Sequence, residues 1–192
     1  TPSLRTPRPP APTSRSSSGP SSAPQVDTKT APRRDLNFQS LDEVIADLEA
    51  IEASARAGTL RHTGNWTPGE ACDHLRKFFQ FAIDGFPSKA PPPVRWIARM
   101  MLKKRATSSD EPFPAGFKLP KSASALLPEP GIEDVDGVRQ LRAQIERVRS
   151  GERMTQPSPL IGPLTHEEWM VMQLKHFSLH LSFIQPGEPA TA

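Results

Sequence analysis

A single cysteine, Cys72, stands in the whole chain, so no disulfide can form within it. A reducing compartment, the cytoplasm, is the expectation. Long apolar runs are also missing. None approaches the ~20 residues that cross a bilayer, so no membrane span is expected. The N-terminal region lacks the apolar core of a signal peptide, and Arg33-Arg34 is not followed by one. Residues 1–35 have almost no large apolar side chain and instead hold eight prolines and seven serines. Such a segment cannot bury enough surface to offset its ordering entropy. Residues 1–25 are therefore expected to form a disordered, Pro/Ser-rich basic tail, either inert or weakly attracted to anionic surfaces. Residues 187–192 are expected to be disordered as well.

Charge follows the same division. Residues 1–35 carry six Lys/Arg and two Asp, a balance of +4. Residues 36–192 carry 18 Lys/Arg and 19 Asp/Glu, a balance of −1. The basic isoelectric point near 9.3 thus belongs to the tail. A specific nucleic-acid-binding domain would carry its basic surface on the fold, so none is expected.

What is present is helical patterning over residues 26–186. The lead-in, residues 26–39, reads as extended. Leu41, Val44, Ile45, Leu48 and Ile51 form one stripe of a first helix, capped by Ser40 with Glu43. Thr67-Pro68 with Glu70 opens a second, whose inner side reads Ala71, His74, Leu75, Phe78 and Ala82. Asp73, Arg76, Lys77 and Gln80 fall on its outer side. Val94–Lys104 is a short amphipathic helix, suited either to packing on the domain or to a membrane surface. A long Pro/Gly-rich segment follows, before a helix from about Val135 to Ser150. Thr165 with Glu168 caps the last helix, which the spacing carries to Gln185, before Pro186-Gly187. No convincing strand is seen. The expected fold class is all-α: a four-helix bundle with a short extra helix and a long loop between helices two and three.

The last helix carries the chemistry. His176 and His180 are four apart on its apolar face, beside Trp169, Met172, Leu179 and Phe183. Two neutral imidazoles so placed can meet at one divalent cation. His74 is the third histidine on an apolar face. His62, in a loop, and His166, at a helix start, are not expected to join them. Three protein ligands leave positions for water or substrate, and zinc, nickel and iron(II) all accept such a set. Two alternatives stay open. One is a set of core histidines satisfied by hydrogen bonds, with a partner-binding role. The other is a non-catalytic module that holds a metal or a small ligand. Glu70 and Gln173 lie one turn before His74 and His176 and are candidates to support them. Cys72 points away from His74 and reads as a small core residue.

The stretches GNWTPGEACDHL (64–75) and GPLTHEEWMVMQLKHFSLHLSF (162–183) resemble the DinB/YfiT-like superfamily of metal-binding helical bundles. Within it, DTKTAPRRDLNFQSLDEV, DGFPSKAPPPVR, PAGFKLP and LTHEEW look like a bacterial branch labelled only as a domain of unknown function. The resemblance covers about Val26 to Pro186. It implies a DinB-like bundle with His74, His176 and His180 as ligands of one divalent metal. It also implies a metal-dependent transferase using a small thiol, or a hydrolase, and a tendency to form homodimers. Catalytic residues beyond the ligands remain unassigned by it.

Overall fold

Five helices form among the described residues, and three of them start where the capping signals place them. The computed structural model describes residues 25–108, 112–116 and 121–187. The expected disordered tail and C-terminus fall almost wholly on 1–24 and 188–192, outside the described residues. Helix α1 spans Leu41–Arg56, α2 Pro68–Asp84, α3 Pro92–Thr107, α4 Asp134–Arg149 and α5 His166–Leu181. Thr67 with Glu70 and Thr165 with Glu168 form complete capping boxes. At α1 the box is incomplete. Ser40 accepts from the Glu43 backbone, but the Glu43 carboxylate reaches Gln39 N at 2.7 Å instead of Ser40 N.

α2 packs most broadly on α4, and α1 also lies on α4. α5 packs on α2 and more narrowly on α1, while α3 lies against α5. Val44, Leu48, Ile51, Leu75, Phe79, Leu141, Ile145, Trp169 and Phe177 are fully buried between these helices. The α2–α4 contact is close because two glycines meet there. A Cβ on Gly137 would lie 2.6 Å from the Gly69 carbonyl oxygen and 2.8 Å from its Cα.

Several expectations are corrected. A two-stranded ribbon is present: β1 Arg61–His62 pairs antiparallel with β2 Ile184–Gln185. The last helix therefore ends at Leu181 rather than Gln185, because Ile184 and Gln185 bond across to the loop before α2. α3 is no short helix; its 16 residues equal α1 in length. Pro92 and Pro93 occupy its first turn, where a missing N–H costs nothing. The segment between α3 and α4 includes a 3-10 turn, Lys121–Leu126. On α2, Phe79 is fully buried while Phe78 is partly exposed. Asp73, expected outside, is fully buried. It is held by Arg76 at 2.6 Å, Lys77 at 2.8 Å and the Glu129 backbone N–H at 2.8 Å. Burial alone would raise its pKa, but those three partners outweigh it and hold the carboxyl below its ordinary value.

The extended lead-in straps across the ends of α1 and α5. The Arg34 guanidinium makes two bonds to Asp47, at 2.6 and 2.9 Å, and donates to the Leu181 and Ile184 carbonyls. Phe38 N donates to Ser178 Oγ at 3.0 Å. Strap and ribbon together fix the end of α5 against the start of α2, and so the two histidine-bearing helices against each other.

Candidate metal centre

Three imidazoles from α2 and α5 converge in the interior. The ligand-capable nitrogens of His74, His176 and His180 lie within 4.8 Å of one another. Their ring centroids are 4.6 to 5.0 Å apart. His74 and His176 are buried, and His180 is partly exposed. The neighbouring of α2 and α5, which spacing alone does not give, is what joins the α2 histidine to the pair.

His74 is oriented from behind. Its Nδ1–H donates to the Leu126 carbonyl at 2.7 Å, so in the neutral ring Nε2 carries the lone pair. That Nε2 stands 3.1 Å from His176 Nε2. Two ligands about 2.0–2.1 Å from one ion stand this far apart at an angle near 100°. His176 Nδ1 is buried and has no partner, and neither has the amide of Gln173, one turn earlier on the same helix. Such atoms cost ~1–3 kcal/mol each when left unsatisfied. A cation shared by the facing ring nitrogens suits this donor set, which is neutral and contains no opposing charge.

The charge state fits as well. Burial holds the His176 and His180 pKa well below the ordinary 6.5, with repulsion from the neighbouring imidazoles adding to it. Burial also lowers that of His74, against the opposing pull of the Leu126 bond and Asp73. All three rings are therefore neutral at pH 7, the form that coordinates metal. In the presence of a chelator, stability should be level at high pH and fall below about pH 6.5. The unfolded chain takes up protons there while the folded rings resist, so each of His74 and His176 contributes a loss of up to ~1.4 kcal/mol per pH unit. Urea midpoints near pH 7.5 and near pH 5.5 measure this; equal midpoints would contradict it.

Aromatic rings enclose the cluster. Trp66, just before the α2 cap, stacks on His180 with centroids 5.5 Å apart and the planes at 20°. It also meets His74 at 4.7 Å. Phe78 lies edge-on to His176 at 4.6 Å and leads to Trp169 at 5.8 Å. None of these rings was singled out as part of the site in the sequence, although Trp66 is adjacent to a legible cap.

The remaining candidates lie elsewhere. His62 is exposed on β1. His166 is half-buried, and its Nδ1 accepts from Met154 N at 3.1 Å. Glu70 is occupied by its cap and by Gly131 N, so it does not support His74; Leu126 does. Cys72 is fully buried, and burial followed by Asp134, Asp47 and Asp73 pushes its thiol far up, which rules it out as a nucleophile.

The family model described as "Protein of unknown function (DUF1569)" matches residues 30–187. No curated protein and no solved structure matches the chain.

Proposed function

We propose that this chain, which belongs to the DUF1569 family, uses residues 26–186 as one helical domain holding a single divalent ion on His74, His176 and His180. The observation that carries this reading is the meeting of three imidazoles from two helices, with the Nε2 atoms of His74 and His176 3.1 Å apart. A DinB-like architecture is part of the same reading. It is supported by the mutual packing of α1, α2, α4 and α5, with α3 set outside against α5.

Zinc, nickel or iron(II) on such a set lowers the pKa of a bound small thiol or water and makes it nucleophilic near neutral pH. The chain's own part is to fix geometry. Leu126 O sets the His74 tautomer, and the β1–β2 ribbon holds Thr63 N on Phe183 O at 2.9 Å, keeping the two helices in register. Phe78 and Trp169 keep water from one side. Among the described residues the cluster holds three imidazoles and no carboxylate, so these histidines supply ligands and the rings around them supply walls. Thiol transfer or hydrolysis is the reaction class this suits.

Elemental analysis of protein purified without a histidine tag tests the reading. One divalent ion per chain is the expected result. Protein that stays ion-free after incubation with each of the three metals would refute it. Trp66, stacked on His180 and tilted against His74, favours a second reading, in which the ion is held for stability or sensing with no turnover. Assay against a panel of small thiols and electrophiles separates the two.

A further inference from the structure

Helix α3 is amphipathic with its polar side turned inward. The Arg99 guanidinium donates to the Pro163 carbonyl at 2.9 Å and to that of Ile161 at 3.2 Å. Lys103 pairs with Glu168 at 2.6 Å. Ala98 is the one buried residue of this helix. The other side faces outward and is apolar: Trp96 is 65% exposed, Met100 68% and Met101 73%, with Val94 and Ile97 about half exposed. A surface helix of a globular domain is arranged the other way round. Packing on the domain, one of the two uses the sequence allows, therefore accounts only for the cationic side.

Charge says what the outer side fits. All five charged residues of α3 are cations, and none is acidic. Lys104 follows Met100 by four residues and Met101 by three, so it lies on the same outer face and is exposed. That face is apolar for its first turns and cationic in its last.

We propose that α3 docks the protein on an anionic lipid surface. Its outer side is a convex ridge carrying a tryptophan and two flexible methionines. A fluid bilayer interface closes around such a ridge, whereas a rigid protein partner needs a groove shaped to receive it. Trp96 suits the level where acyl chains meet headgroups, and Lys104 reaches the phosphates. A second copy laid on the same face would bring no α3 carboxylate to meet Lys104. The proposal is independent of the metal centre.

Co-sedimentation of the full chain with vesicles tests it. Vesicles of phosphatidylcholine with phosphatidylserine should bind at least about tenfold more tightly than phosphatidylcholine alone, and added salt should weaken the binding. Tryptophan emission should shift to the blue on binding. The combined variant Trp96→Ser, Met100→Gln, Met101→Gln alters only exposed side chains, and circular dichroism checks that it folds. It should lose binding by about tenfold or more. Because this variant keeps the basic residues 1–25, unchanged binding by it would assign any lipid affinity to that tail and overturn the proposal. A doubled mass in solution, lost in the same variant and without vesicle binding, would also overturn it and make the face a contact between copies.

Discussion

His176→Ala is expected to weaken divalent-ion binding by more than about a hundredfold. Loss of groups that merely orient a ligand costs ~10–100-fold, and loss of the ligand itself exceeds that. His176 belongs to the cluster through its Nε2, 3.1 Å from His74 Nε2, and through its ring, which meets both other imidazoles. The metal-free fold should survive the change, since an unpartnered buried nitrogen is removed along with the ring. Metal titration followed by tryptophan quenching measures the first effect, and urea unfolding in chelator the second. His62→Ala and His166→Ala, away from the cluster, should bind as the parent does. Parent-like affinity in His176→Ala would mean that the three imidazoles do not share an ion.

Gly137→Ala should destabilise the domain by ~3 kcal/mol. Alanine is the better helix former by about 1 kcal/mol, so propensity alone predicts a gain. Space decides against it. The new methyl would meet Gly69 backbone atoms at 2.6 and 2.8 Å, and no side-chain rotation relieves a clash with backbone. The two helices must move apart, and forced repacking of this kind costs ~1–3 kcal/mol or more. α2 carries His74, so its displacement should weaken metal binding too. Gln140→Ala, on the exposed side of α4, is the control and should leave both quantities unchanged. Equal urea midpoints for Gly137→Ala and the parent would show that the close crossing is not a constraint.

Local signals were the readable ones. Thr67 with Glu70 and Thr165 with Glu168 start their helices where sequence places them, because a capping box is completed within four residues. The spacing of His176 and His180 is likewise a property of one helix. Long-range consequences were not readable. Asp73 lies inward because Glu129, 56 positions away, offers a backbone N–H to it. The end of α5 is set by a partner strand 124 positions earlier, since Gln185 pairs with Arg61. The close approach of Gly69 and Gly137 joins positions 68 apart in the chain. The enclosing role of Trp66 and Phe78 appears only once α2 and α5 are adjacent. Arg99 of α3 turns inward to the carbonyls of Ile161 and Pro163, which carry no sequence signature.

The carbonyl of Leu126 has one further implication. It belongs to a connecting segment, 52 positions from the ring it touches, yet it decides which nitrogen of His74 holds a proton. If that segment swings away, the proton is free to migrate to Nε2, and the ring turns from electron donor to hydrogen donor at the same spot. The tautomer of this α2 histidine is thus governed from the connection that leads into α4, not from α5.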